Sequence, residues 1–363
     1  MVLTIPNLKG EFNNKKVFVS GHTGFKGAWL ISLLNLLGAK VKGYALEPDS
    51  NNCLFNLIDG TSLCESVIAD IRDNEKLSSE ILNFQPDYVF HLAAQPLVSK
   101  GYQEPKETYE VNVMGTMNIL YSLKIKDFHC TSVIITTDKV YKNIESNHFY
   151  SEDDRLGGKD PYSSSKACAE LIVDAMYHSY FDLNNLTTHN KKIATARSGN
   201  VIGGGDWAEN RLVPDFIQSI KSNSSLSIRN PYAIRPWQHV LDPLIGYLLL
   251  AINLNKTPHI FSQPFNFGPY KKDCISVEKV IDKCIKLWGC GTKVIDPKSN
   301  NFKESGLLML DIEKANNLLH WDPIFNLDNA IKMTLDWYRV FEDNPARIKD
   351  FTFHQINDTL NLK

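Results

Sequence analysis

The chain has 363 residues and a mass of 41.1 kDa, which suits about two domains rather than one small core. Hydrophobic residues make up 43% and charged residues 22%, so wholesale disorder is excluded. With 39 Lys and Arg against 41 Asp and Glu, the formal charge is −2, and no sequence-wide basic field exists to hold nucleic acid.

From Met1 to Lys16 there is no apolar h-region, and the longest apolar-rich stretch, Leu244 to Ile252, is less than half a membrane span. The seven cysteines include no Cys-x-x-Cys pair and read as ordinary thiols in a reducing compartment. The expectation is a cytoplasmic enzyme of small molecules, with no membrane and no nucleic-acid partner.

The elements alternate from the start. Lys16 to Ser20 reads as a strand that ends in glycines, and Gly27 to Gly38 carries Trp29, Leu30, Leu33, Leu34 and Leu37 at helical spacing. Lys40 to Leu46 is a second strand, which completes one βαβ unit within fifty residues. Tyr88 to Leu92 reads as a buried strand, Val111 to Leu123 as a helix, Ser132 to Thr136 as a strand and Ser163 to Tyr180 as a long helix. Lys192 to Arg197 is one more strand, and Pro264 to Gly268 another. Between them, Gly203 to Trp207 is a turn or loop, and Ile228 to Trp237 is rich in Arg, Pro and aromatics.

Strands alternating with helices predict an α/β fold: a Rossmann-type doubly wound parallel sheet with a smaller mixed α/β substrate domain. The expected division gives residues 1–200 to the dinucleotide domain, with 239–272 returning to it. Residues 201–238 and 273–363 form the second domain.

Gly21-His22-Thr23-Gly24-Phe25-Lys26-Gly27 lies between the first strand and the first helix. Glycines there permit a tight turn and a close approach of backbone N–H groups to a pyrophosphate at the helix N-terminus. The plain alternative is a strand-to-helix turn. The spacing G-x-x-G-x-x-G resembles the extended short-chain dehydrogenase/reductase superfamily, the NAD-dependent epimerases and dehydratases. The wording through Leu30 resembles its CDP-glucose 4,6-dehydratase branch.

By that resemblance Gly21, Thr23, Gly24, Phe25 and Gly27 hold the cofactor. Asp70 and Ile71 match the adenine-contacting segment, and Leu92, Ala93 and Ala94 match the strand end beneath the cofactor. Glu47 is the acidic residue nearest the place where a ribose 2′-OH is bonded, and no Arg pair for a 2′-phosphate stands there. NAD is the expected cofactor.

Tyr162 and Lys166 are four residues apart and share a helix face. A bare Tyr-x-x-x-Lys pair is usually a surface feature. After a Rossmann loop it resembles the superfamily site, in which Tyr162 takes a proton from a sugar hydroxyl and Lys166 holds the nicotinamide ribose. A tyrosine is a poor base at its free pKa of about 10, so the reading expects the ammonium and the positive nicotinamide ring to lower it. Thr137-Asp138-Lys139 closes the preceding strand. Epimerases of the superfamily generally carry small residues there. The dehydratases carry an acid/base couple, and the Asp-Lys variant resembles the CDP-glucose branch. The chemistry explains the need: oxidation at C4 makes the C5 proton acidic, and loss of water across C5–C6 takes a base at C5 and an acid at the C6 oxygen. Lys139 is the expected base, Asp138 the expected acid, and Thr137 the bond to the C4 oxygen.

Gln95, Asn200 and Arg235 match the family's nucleotide-sugar contacts, Arg235 within the Arg-x-Trp-x-x-Val-x-Asp stretch. A structural ion pair of Arg235 with Asp242 is the alternative. His91, His239, Trp237, Tyr232 and Cys168 are expected to be packing residues. No His-Glu-x-x-His, Cys-x-x-Cys or G-x-S-x-G element suggests a metal or a nucleophile. Two departures from the family wording stand out. Lys142 to Tyr150 lacks the expected Trp residues, and no Arg-bearing nucleotide segment occurs near Lys303-Glu304.

The resemblance implies an NAD-dependent lyase acting on CDP-glucose, at the entry to the deoxysugars of O-antigen and lipopolysaccharide. It also implies a homodimer or homotetramer built on the helices at Met114 to Leu123 and Ala167 to Tyr177. The rivals are a dTDP-glucose or GDP-mannose dehydratase, a nucleotide-sugar 4-epimerase, and a non-catalytic NAD(P)-binding regulator.

Overall fold

A computed structural model describes residues 5–296 and 305–361. Lys303 and Glu304, where the sequence reading notes a missing arginine segment, lie outside the described residues. The backbone is organised by one seven-stranded, fully parallel sheet. Its strands are β1 (Lys16–Ser20), β2 (Lys40–Ala45), β3 (Glu65–Ile68), β4 (Tyr88–His91), β5 (Cys130–Ile135), β6 (Lys191–Ser198) and β7 (Phe265–Phe267), in spatial order β7-β6-β5-β4-β1-β2-β3. β1 is flanked by β2 and β4, so the strand order reverses beside it. In such sheets the crevice beyond the carboxyl ends at this reversal is where ligands bind.

Two apolar layers cover the sheet. One face packs the helices Phe25–Leu36 and Leu241–Lys256 together with much of the carboxyl-terminal part. The other packs Asn74–Phe84, Gly115–Ile125 and Pro161–Tyr180 through Leu77, Ile81, Ile119, Leu120, Val173 and Met176. Leu244 to Ile252, the apolar stretch too short for a membrane, is the buried heart of the helix Leu241–Lys256. No described helix is long and apolar enough to cross a membrane.

Short strands serve the remainder. Val201–Ile202 pairs with Gln238–His239, Ile234–Pro236 with Cys274–Ser276, and Ser225–Ile228 with Thr292–Ile295. The last two pairings join chain segments separated by a whole helix and strand of the main sheet. The Trp29 indole donates to the Gly204 carbonyl at 3.0 Å, which fastens the glycine-loop helix to the Gly203–Trp207 turn.

Most predicted elements shift only at their ends, by one to three residues. β3 and the helix Asn74–Phe84 were not foreseen, because β3 is only half-buried and lacks an apolar run. The predicted helix from Val111 begins instead as a π-helical turn at Glu110–Met114, which then runs on as Gly115–Ile125. That turn is organised around Asn112, whose side chain accepts from the Gln95 N–H at 2.8 Å and donates to the Gln95 carbonyl and to Ser165.

Candidate active site

The residues singled out in the sequence converge at the carboxyl ends of β1, β4, β5 and β6. Gly21 follows β1 with φ +78°, and a Cβ there would stand 2.7 Å from the Ala93 nitrogen. Gly27 is tighter still, since its Cβ would lie 2.0 Å from the Gly21 carbonyl oxygen. The first turn of the helix Phe25–Leu36 therefore lies directly on the loop. No side chain caps its N-terminus. Uncapped N–H groups behind a bare glycine loop make a cradle that fits a pyrophosphate.

The other residues read as cofactor contacts surround this cradle unequally. The Thr23 hydroxyl is turned away, donating to the Leu46 carbonyl at 2.9 Å. Asp70 accepts the Arg72 N–H at 2.8 Å and the Arg72 guanidinium at 2.6 Å, and this arginine holds its carboxyl below the usual range. The Ile71 carbonyl accepts from Asn118 at 3.0 Å. Leu92, Ala93 and Ala94 follow β4, where the Ala93 N–H donates to Ser20 Oγ at 3.2 Å. Glu47 is exposed, two residues beyond the end of β2.

Thr136 to Lys139 leave β5 in a short 3₁₀ turn, Asp138–Val140, with Thr137 as its cap. Facing it is the start of the helix Pro161–Tyr180. Asp160 fixes that start by accepting the Ser163 N–H at 3.0 Å, with Pro161 in the first helical position. These two local signals aim Tyr162 at the β5 turn. The Lys139 ammonium lies 5.9 Å over the Tyr162 ring, and Thr137 Oγ1 donates to Asp138 Oδ1 at 3.0 Å. Asp138 is 2% exposed, and its Oδ2 has no partner among the described residues. Burial pushes its carboxyl upward, against the opposing pull of Lys139, Thr137, Arg235 and Lys26.

Tyr162 departs from expectation. Burial pushes its phenol up to about 12, with the Thr137 hydrogen bond pulling the other way. The lowering expected from Lys166 is absent because that ammonium is turned to the Ile135 carbonyl at 3.2 Å. Burial brings Lys166 itself down to about 8, opposed by Glu170 one helical turn away.

Beneath the site lies an ion pair the sequence reading missed. Glu170 accepts from Arg197 Nε and NH2 at 3.0 Å each and from the hydroxyls of Thr136 and Thr195. Both charged side chains are 3% exposed. Arg197 also donates to the Tyr141 hydroxyl at 3.0 Å, and Tyr141 to Asn266 at 2.6 Å. The Tyr141 ring stacks on Tyr150, so the loop without tryptophans is anchored by tyrosines instead. Lys26 and Arg211 were missed as well. Lys26 sits inside the glycine motif, and only its neighbours in space mark it out. Arg211 pairs with Asp206 at 2.8 Å and carries its charge toward Tyr162 and Lys26.

The residues read as substrate contacts fall into place differently. Gln95 is buried with its amide engaged, donating to Thr108 at 2.8 Å and accepting the Leu97 N–H at 2.6 Å. Asn200 lies two residues beyond β6, and its carbonyl accepts the Gln238 N–H at 3.0 Å. Arg235 donates to the carbonyls of Ile234 and Ser305, while Asp242 instead accepts the N–H groups of Ile324 and Phe325. Burial raises Asp242 to about 7.

His91 is a packing residue, bonded to Ser20 and Thr116 and lowered by burial to about 3. His239 is lowered likewise to about 3, wedged between Trp29 and Phe325. Trp237 is buried as expected, but Tyr232 is 78% exposed. It stands on an open turn between two short strands, so the aromatic count of that segment misled. Cys168 is half-buried on the Tyr162 helix. Among the described residues no group of three or more His, Cys, Asp or Glu could hold a metal ion.

The family described as GDP-mannose 4,6 dehydratase matches residues 18–334, most of the chain. The chain belongs to that family. Within it, the chain is 45% identical over 333 residues to a CDP-glucose 4,6-dehydratase of Salmonella typhimurium, covering 92% of this chain and 93% of that one. Similarity to a CDP-paratose 2-epimerase of Salmonella typhi is 23%, over 89% of this chain and 98% of that one. Among solved structures, an epimerase of Methanothermobacter thermautotrophicus superposes with a TM-score of 0.81 at 21% identity, covering 94% of this chain and 97% of that one. A dTDP-glucose 4,6-dehydratase of Bacillus anthracis, solved in complex with NAD, superposes at 0.74 with 22% identity, covering 93% and 99%. The dehydratase family thus carries its lyase chemistry on the same doubly wound sheet that the alternation of elements predicts.

Proposed function

We propose that the protein is an NAD-dependent lyase that removes water from CDP-glucose to give CDP-4-dehydro-6-deoxyglucose. The observation that carries this reading is Asp138: a buried carboxyl with one oxygen unpartnered, next to Lys139 and across from Tyr162. An epimerase has no use for an acid at that place, and a non-catalytic regulator has no use for either charge. The choice of CDP-glucose over dTDP-glucose or GDP-mannose rests on the 45% identity to the Salmonella enzyme of that name.

In this reading the Gly21–Gly27 cradle receives the pyrophosphate of NAD, with Gly24 and Phe25 at the helix start and Asp70 and Ile71 toward the adenine. When bound, NAD holds the hydride taken from C4 until it is given back at C6. Lys166, an ammonium below about pH 8, holds the nicotinamide ribose. Tyr162 receives the proton of the C4 hydroxyl, with Thr137 bonded to the same oxygen. Lys139 takes the C5 proton and later returns it. Asp138, its carboxyl pushed upward by burial, gives its proton to the departing C6 hydroxyl. Asn200 and Arg235 face the nucleotide diphosphate, and Gln95 holds the hexose loop through its buried amide.

The proposed division keeps residues 1–200 and 239–272 in the dinucleotide unit, and 201–238 with 273–363 in the sugar-nucleotide unit. A second copy of the chain completes the assembly. Met114, Tyr121 and Leu171 are 46–57% exposed on or at the start of two neighbouring helices, large apolar side chains that a second copy would cover. A cytoplasmic place, at the entry to O-antigen and lipopolysaccharide deoxysugars, completes the reading.

Incubation with CDP-, dTDP-, UDP- and GDP-hexoses, followed by mass spectrometry, tests it. Loss of one water from CDP-glucose is expected, at a kcat/KM at least tenfold above the other three. Loss from none of them, or isomerisation without loss, would overturn it.

A further inference from the structure

Lys26 is the second residue of the helix that follows the glycine loop. A lysine at such a place usually points into solvent. This one turns inward, and its ammonium donates to Ser198 Oγ at 2.8 Å, at the end of β6 and 172 residues along the chain. The bond carries the side chain from the cofactor cradle to the reaction centre. The charges that face it there are Asp138 from the β5 turn, Lys166 from the Tyr162 helix, and Arg211 from the segment after the Gly203–Trp207 turn. Arg211 has Asp206 as its partner, and Lys166 has the nearby charge of Glu170. Among the described residues, no carboxylate lies within ion-pair distance of Lys26. Asp138 is the one facing group of opposite sign.

We infer that Lys26 is a positioning residue of the elimination step, an ammonium anchored on Ser198 that serves as the charge partner of the carboxylate Asp138 becomes when it protonates the leaving hydroxyl. The inference rests on the dehydratase reading. In the elimination the C5–H bond breaks toward Lys139, and its electron pair forms the C5–C6 double bond. The C6–O bond breaks, and the departing oxygen takes the proton of Asp138 and leaves as water. A carboxylate is thereby created in a buried place, and a buried charge without a partner is costly. Lys139 and Arg235 face Asp138 too, but Lys139 gains its charge only as the C5 proton arrives and must give that proton back, and Arg235 is bonded to two backbone carbonyls. Lys26 is free of both duties. Burial, with Arg211 and Lys166 beside it, brings its own titration down to about 7. It therefore exchanges its proton near neutrality, and a carboxylate appearing on Asp138 draws that proton back. The conditions for electrostatic stabilisation are met: the group is fixed in advance, and little solvent intervenes.

Three variants and one titration test this. In Lys26→Met and Lys26→Gln, kcat for water loss from CDP-glucose falls on the order of 10²-fold, the loss typical of one preorganised electrostatic group. KM and the dissociation constant of NADH stay within threefold of the wild-type values. Lys26→Arg recovers most of kcat, because the charge and not the bond to Ser198 is what matters. The titration needs no substrate. With ¹³C-labelled aspartate, the Asp138 carboxyl signal (assigned by its loss in Asp138→Asn) titrates at higher pH in Lys26→Met than in the wild type, because the facing ammonium favours the carboxylate.

An Asp138 signal that ignores Lys26→Met overturns the proposal, whatever the protein's substrate proves to be. So does a Lys26→Met enzyme within twofold of wild-type kcat, or one whose only defect is dinucleotide affinity or melting temperature. A wild-type protein that dehydrates no nucleotide sugar refutes the dehydratase reading, and the NMR arm still decides the pairing of Lys26 with Asp138.

Discussion

Replacing Glu170 by Gln removes one charge from beneath the site and little volume. The carboxylate accepts four hydrogen bonds, two from Arg197 and one each from Thr136 and Thr195. With both charged side chains 3% exposed, solvent cannot take over the arginine's charge. These bonds are not additive, so the cost is that of stranding one partner of a buried pair, about 3–5 kcal/mol. At roughly 2–4 °C per kcal/mol for domains of 150–250 residues, the melting temperature near pH 7 falls by about 6–20 °C.

The pH dependence gives a second reading. Arg197 and the hydroxyls hold the Glu170 carboxyl below its ordinary 4.5, against the upward push of burial. A carboxyl with a lower pKa folded than unfolded stabilises fully above the unfolded value and loses that contribution as pH falls through the folded one. The gap between wild type and Glu170→Gln therefore persists to about pH 4.5 and closes only below it. Circular dichroism melts at several pH values check both statements. A melting temperature within about 2 °C of wild type, or a gap that closes by pH 6, would refute the assignment. Exchanging both partners, Glu170→Leu with Arg197→Met, costs less than Glu170→Gln alone, because no buried charge is then left unpaired.

Gly21→Ala places a methyl 2.7 Å from the Ala93 nitrogen at φ +78°, so the loop must shift. A destabilisation of about 1–3 kcal/mol is expected, together with at least tenfold weaker NADH binding in fluorescence titration; unchanged binding would show the cradle is not the dinucleotide site. Lys139→Met, incubated with CDP-glucose in deuterium oxide, incorporates at least tenfold less deuterium at C5, read by mass spectrometry. Undiminished incorporation removes Lys139 as the C5 base. Leu171→Glu puts a charge on a side chain 57% exposed on the Tyr162 helix; if the proposed pairing of two copies uses that helix, sedimentation shifts from dimer to monomer, and a variant that stays dimeric places the interface elsewhere.

The sequence carried a large share of the fold because the buried strands announce themselves. β1, β4 and β5 are covered on both faces and read as continuous apolar runs, and the helices between them show their apolar stripe. β3 was lost because it lies at the sheet edge, is only half-buried and has no such run. The π-helical turn at Glu110–Met114 left no trace in the spacing, since it is formed around the bonds of Asn112 to Gln95 and Ser165 from two other elements.

Glycine spacing, the Asp138-Lys139 pair and the four-residue step from Tyr162 to Lys166 are local facts, and the sequence by itself determined which chemical groups are present and which family they resemble. What they do to one another is not local. Tertiary structure alone decided that Asp138 is desolvated with a free oxygen, that Lys166 turns to Ile135, and that Lys26 leaves its own helix for Ser198. It also decided that a chain of net charge −2 gathers Lys139, Arg235 and Lys26 around one carboxyl, with Arg211 and Lys166 beside Lys26. The physical reason is that protonation and partner choice follow burial and distance, which belong to the folded cavity and to no stretch of the sequence.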